Sequence, residues 1–140
     1  MTPETLSGLA NDLRIACQRV SRRVRFESAD ELAPHQVSAL SQLKSGPLTP
    51  GELAEIERVS PPSMTRTVNC LVERGLVARD DHPSDGRSKL LELTDAGRAA
   101  MDRVARARDD WMLHQLEGLT KDEQKLLEEA TRLLNRVLEK

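Results

Sequence analysis

The run Ser60-Pro61-Pro62-Ser63-Met64-Thr65-Arg66-Thr67 holds residue types that read nucleic-acid bases. Ser60 before Pro61 is a helix-start signal, a capping hydroxyl followed by proline at the first helical position. Met64, Val68, Leu71 and Val72 recur at helical spacing and face a core. Ser63, Arg66 and Thr67 then fall on the opposite side, with Thr65 beside them. Short polar side chains at the N-terminal end of an amphipathic helix come within reach of base edges in the major groove. A guanidinium at Arg66 can form a two-pronged bond with a guanine edge, or hold a phosphate. Pro62 and the Thr67 methyl can touch thymine methyls. The helix N-terminus should add free N–H groups and a partial positive charge directed at phosphate.

A second constellation lies downstream, in Asp85-Gly86-Arg87-Ser88-Lys89. A guanidinium at the tip of a protruding loop can enter a narrow minor groove, where the potential is most negative. Gly86 lets the backbone come close. Asp85 would repel phosphate, so it is expected to turn inward and hold Arg87 or Arg79. Thr49, Ser88 and Lys89 complete the candidate DNA-facing set. Each segment also has a plainer reading. The helix could be amphipathic with a merely solvated outer side, and the loop an ordinary polar hairpin tip.

Several elements must position these residues. Thr2-Pro3, Thr49-Pro50 and Ser60-Pro61 each open a helix, and Thr49 to Glu52 and Thr120 to Glu123 fit the capping box. A first helix is predicted from Pro3 to Phe26, with an apolar stripe of Leu6, Leu9, Leu13, Ala16, Val20 and Val24. A second begins near Pro34 and ends at Gly46-Pro47. A third, Thr49 to Glu57, turns Leu53, Ala54 and Ile56 inward. The fourth runs from Ser60 to Arg74 and stops at Gly75, a residue free to take positive φ. Strands are predicted over Leu76–Arg79 and Lys89–Leu93, with a long polar loop between them. A fifth helix follows Thr94 and a sixth follows Thr120. The sixth carries a wide apolar face from Leu126 to Leu138. Helix, tight turn, capped helix, strand, polar loop, strand is the winged helix-turn-helix order. The expected fold is therefore mainly α with a small β-hairpin wing. Residues 1–32 form an N-terminal dimerisation helix, 33–93 a DNA-binding lobe and 94–140 C-terminal dimerisation helices.

Composition narrows the function classes. The chain has 140 residues, a net charge of −2, one Trp, one Phe and no Tyr. Its core must be thin and aliphatic, which favours completion against a second copy. Between Arg58 and Lys89 six basic residues face four acidic ones, so positive charge is concentrated on the candidate reading segment and on the arginine-rich first helix. Glu4 and Asp12 break any leader-like apolar run, and no stretch approaches the ~20 apolar residues that span a bilayer. A soluble, cytoplasmic protein that does not enter membranes is expected. Cys17 and Cys70 have no zinc or disulfide spacing, and His35, His82 and His114 match no ligand pattern. No cofactor or metal is expected. Nor is there a nucleophile–base pair or a phosphate-cradling glycine loop, so enzyme activity is not expected.

The stretches Val59–Val68, Leu71-Val72-Glu73-Arg74-Gly75-Leu76-Val77, Asp85–Lys89 and Leu93-Thr94-Asp95-Ala96-Gly97 together resemble the multiple-antibiotic-resistance regulator (MarR) family. The resemblance extends over nearly the whole chain. Glu-Arg-Gly-Leu-Val is common to many winged helices, whereas the Asp-Gly-Arg-Ser wing leading into Leu-Thr-Asp-Ala-Gly is more specific. The resemblance implies a homodimer joined by the first, fifth and sixth helices, and an inverted-repeat operator in double-stranded DNA. It also implies repression of nearby genes, often relieved by small aromatic or lipophilic ligands. Arg14, Gln18, His35 and Trp111 are the candidate effector lining. A branch of the family senses peroxides through a cysteine in the first helix, activated by tyrosines. This chain has no Tyr, and Cys17 is expected to be a buried packing thiol beside Leu13 and Val20. The competing reading is a winged-helix module that binds protein instead of DNA. An exposed apolar patch in place of the Ser63–Arg66–Thr67 edge would favour it.

Overall fold

The computed structural model describes residues 1–27, 30–82 and 85–140, with side chains except those of residues 81–88. The order is α1 (Pro3–Arg25), α2 (Pro34–Leu43), α3 (Pro50–Glu57), α4 (Pro61–Glu73), β1 (Val77–His82), β2 (Asp85–Leu93), α5 (Asp95–Glu117) and α6 (Lys121–Leu138). The chain divides into two compact units, Met1–Arg108 and Asp109–Lys140.

In the first unit the helix starts are those the capping signals predict. Thr2 Oγ1 accepts from the Thr5 N–H at 3.1 Å. Thr49 Oγ1 accepts from the Glu52 N–H at 3.1 Å, while the Glu52 carboxylate accepts from the Thr49 N–H at 3.2 Å. Ser60 Oγ accepts from the Ser63 N–H at 3.3 Å. Caps of this kind are typically worth ~1 kcal/mol each. At α2 the cap residue is Ala33, and Gln36 Oε1 supplies the acceptor for its N–H at 2.9 Å.

The core gathers Leu40, Leu43 and Val37 of α2, Leu53 of α3, and Met64, Val68 and Leu71 of α4. Leu91 of β2 and Ala100 and Val104 of α5 close it. No polar side chain is buried among the described residues. Ile56 departs from expectation, being 48% exposed. Helix α3 has eight residues, and Leu53 and Ala54 already occupy its inward side.

β1 and β2 pair antiparallel from Val77 opposite Leu93 to His82 opposite Asp85, with an irregularity between Asp81 and His82. The polar loop expected over residues 80–88 is therefore largely strand. Ladder bonds use only backbone groups, so a two-stranded ribbon extends through residues that no apolar alternation marks. Leu48 adds a bridge to Leu91: its N–H donates to the Leu91 carbonyl at 3.2 Å, and its carbonyl accepts from the Leu91 N–H at 2.8 Å.

α1 contains no buried residue: Leu6, Leu9, Leu13 and Val20 are 42–57% exposed. Cys17 is exposed as well. This corrects the expectation of a buried thiol, because the stripe on which Cys17 borders is itself uncovered.

In the second unit α6 likewise buries nothing. Leu126, Leu133 and Val137 are 65%, 50% and 58% exposed. Its start is a capping box between Thr120 and Glu123. The Thr120 N–H, and then its hydroxyl, holds the Glu123 carboxyl below the usual carboxylate range. A depressed folded pKa means that this support is present at neutral pH and is lost as pH falls through the carboxylate range. No helix among the described residues is long and apolar enough to cross a membrane.

Candidate nucleic-acid interface

The outer side of α4 is built from residues that its buried stripe forces outward. Met64, Val68 and Leu71 are 1–3% exposed. Ser60, Pro61, Pro62, Thr65 and Arg66 are exposed, and Ser63 and Thr67 are half-buried. The turn that presents this helix depends on Arg58, which closes α3 in the left-handed region at φ 55°, ψ 44°. That conformation disfavours side chains beyond glycine and the small polar residues. The brief turn expected at Arg58 and Val59 is therefore present, but an arginine does not announce its left-handed backbone.

The chemistry of this edge differs from the expectation in one respect. Pro61 and Pro62 carry no N–H, the Ser63 N–H is taken by Ser60 Oγ, and the Met64 N–H by the Ser60 carbonyl at 3.0 Å. The α4 N-terminus thus keeps its dipole but has spent its first backbone donors. Anions there must be held by side chains.

The hydroxyls also have internal partners. Thr65 Oγ1 donates to the Pro61 carbonyl at 2.9 Å and Thr67 Oγ1 to the Ser63 carbonyl at 3.2 Å. Both keep their oxygens as acceptors. Arg66 Nη2 donates to Ser63 Oγ at 3.3 Å, which leaves most of its fork for a base edge or phosphate. Thr49 is half-buried and committed to its capping box.

The hairpin is tied to α4 by a pair that sequence reading did not find. Arg79 on β1 donates to the Asn69 side-chain oxygen. The expected hold of Asp85 on Arg87 or Arg79 falls on side chains outside the described residues. Asp85, Gly86, Arg87 and Ser88 begin β2, and their side chains lie outside the described residues. Lys89 is exposed and opposes Asp81 in the register.

Within the first unit, His35 and Gln18 line two clefts that share Arg25. His35 lines a cleft of about 520 Å³ together with Arg25, Gln36, Glu57, Ser63, Arg66, Thr67 and Cys70. Gln18 lines a second cleft of about 440 Å³ with Cys17, Ser21, Arg22 and Arg25. Arg14 is engaged by Asn11 and Gln18 at 3.2 Å each. Trp111 belongs to the second unit. In the first cleft Gln36 Nε2 donates to Cys70 Sγ at 3.3 Å. Glu57 also lines it, and one of its carboxylate oxygens has no hydrogen-bond partner among the described residues. This cleft shares Ser63, Arg66 and Thr67 with the outer edge of α4.

A model described as MarR family matches residues 31–88. The HTH-type transcriptional regulator Mb0904 of Mycobacterium bovis is 40% identical over 128 residues, covering 90% of each chain. The HTH-type transcriptional repressor MdtR of Bacillus subtilis is 29% identical over 121 residues, covering 82% of this chain and 78% of that one. Among solved structures, apo MarR from E. coli superposes with a TM-score of 0.74 at 27% identity, covering 93% of this chain and 96% of the other.

Proposed function

Since this chain belongs to the MarR family of transcriptional regulators, we propose that it is a sequence-specific repressor acting as a cytoplasmic homodimer on an inverted-repeat operator. The observation that carries this reading is the outer edge of α4. Short hydroxyls and Arg66 stand on a helix fixed by its buried stripe and tied through Asn69 to Arg79 of the hairpin. MdtR, named as a repressor, supports the direction of control. The uncovered apolar faces of α1 and α6 support pairing of residues 1–32 and 94–140 with a second copy, leaving residues 33–93 as the reading lobe. Selection of bound sequences from a random duplex pool tests the reading. An inverted repeat is the expected product, and a pool that does not enrich would overturn it.

The two groove contacts separate by mutation. Arg66→Ala is expected to cost about 1–3 kcal/mol of operator affinity and to relax preference at one position per half-site. Arg87→Ala is expected to weaken binding to all sequences without changing the preferred bases, as a minor-groove anchor would. Wild-type affinity in both variants, measured on the selected operator, would refute this docking.

Relief by a small aromatic acid belongs to the same reading. A ligand in the cleft beside His35 and Arg25 would occupy the flank of Ser63, Arg66 and Thr67. It would then be bound in competition with DNA. Titration with a panel including salicylate should lower operator affinity, and His35→Ala should blunt the response. Unchanged affinity at millimolar ligand would remove this mode of control.

A further inference from the structure

In the connection from α1 to α2, Asp30 and Glu31 both take left-handed backbone angles, φ 62° and φ 55°. Such conformations persist in side-chain-bearing residues only where the surroundings over-determine them. Here the surroundings are arginines from two other elements. Arg103 of α5 donates from Nε and Nη2 to Asp30 Oδ2 at 2.9 and 2.6 Å. Arg74, the residue that closes α4, donates to the Asp30 carbonyl oxygen. Arg108 of α5 adds a bond to the Glu27 carbonyl at 3.3 Å. Just beyond, Leu32 is 3% exposed in the core.

One residue thus holds the end of the candidate recognition helix through its carbonyl and α5 through its carboxylate. The Arg103 and Asp30 side chains are 48% and 31% exposed, so screening keeps the pair's contribution to stability small. Its geometry is another matter, because two donors of one planar guanidinium fix direction as well as distance.

We infer that Asp30 is a positioning residue for DNA reading: it sets the attitude of α4 on α5. This rests on the dimeric operator-binding reading. In a dimer, that attitude governs how far apart the two recognition helices stand. Recognition helices of a dimer enter successive major grooves only at a separation of about 34–36 Å. Releasing the Asp30 junction lets α4 pivot, so the protein should lose both affinity and its sense of half-site spacing.

The test uses Asp30→Asn, which keeps the side-chain shape and tolerates left-handed φ, and Asp30→Gly, which frees φ altogether. Arg103→Gln and the double variant Asp30→Asn/Arg103→Gln complete a cycle. Affinity is measured on the operator selected by the wild type, and on versions with the spacer one base pair longer or shorter. On the native spacer Asp30→Asn is expected to lose about fivefold, the low end of coupling between sites. The loss on altered spacers should be much smaller, so the spacing preference flattens. The double variant should be no worse than either single, because both remove one interaction.

The Asp30 role is overturned if folded Asp30→Asn and Asp30→Gly keep wild-type affinity and spacing preference. It is equally overturned if they lose the same factor on every spacer, the mark of plain destabilisation. A wild type that selects no inverted repeat would overturn the operator-binding reading along with it.

Discussion

Operator binding is expected to weaken by roughly 10³–10⁵-fold as salt is raised from about 50 to about 200 mM, if a dimer neutralises ~6–10 phosphates. The reason lies in what the α4 N-terminus lacks. Its first backbone donors are absent or spent, because Pro61 and Pro62 have no N–H and Ser60 takes those of Ser63 and Met64. Phosphates must therefore be held by side-chain cations, and each such contact releases counterions. The chain's net charge of −2 offers no general attraction to DNA, so binding should depend on these few placed charges. A variant that loses one phosphate-holding arginine should flatten the log–log salt slope by ~0.9 per contact removed. Fluorescence anisotropy across a salt series measures this directly. A nearly flat response would exclude DNA as the partner.

How much of this was legible in the sequence depends on the range of the interaction. Capping hydroxyls at Thr2, Thr49, Ser60 and Thr120 act over three residues, and the helices start where they indicate. The Met64–Val68–Leu71 stripe is also local, and it placed Arg66 and Ser63 on the outer edge of α4 correctly. The hairpin extends further than expected because its ladder is a backbone property that its polar residues do not advertise. Contacts across long separations were not legible at all. The Asn69–Arg79 tie spans ten residues and the Asp30–Arg103 fork spans 73. Both join charged or polar residues whose types are as common on an idle surface. The turn at Arg58 is legible from the two capped helices it joins, but its left-handed backbone is not, since the sequence has arginine where the geometry favours glycine. His35, Gln18, Arg14 and Trp111 were grouped mainly by resemblance, and the first two line two clefts that share Arg25.

The Leu-Thr-Asp-Ala-Gly stretch shows the same limit from the opposite direction, and it leads to the largest expected effect on stability. Gly97→Ala should destabilise the protein by about 3 kcal/mol, the upper end for forcing an extra carbon into a packed site. A Cβ at position 97 would lie 2.1 Å from the Leu76 carbonyl oxygen, 3.1 Å from its carbon and 3.2 Å from Leu93 Cδ2. The oxygen cannot swing aside as a side chain would. It belongs to the backbone and accepts the Thr94 N–H at 3.1 Å. Thr94 Oγ1 fastens the same corner, donating to the Gly75 carbonyl at 2.6 Å and accepting from the Gly97 N–H at 3.0 Å. Alanine at position 97 must therefore lift the start of α5 from the turn that joins α4 to β1. The melting temperature should fall by on the order of 10 °C. The matched control is Gly8→Ala in α1, where nothing lies within 4 Å of an added Cβ. Helix propensity alone should make that change neutral or stabilising by about 0.5–1 kcal/mol. Thermal unfolding of both variants followed by circular dichroism decides the matter. If Gly97→Ala melts with the wild type, the close approach of α5 to the Leu76 carbonyl does not exist in solution.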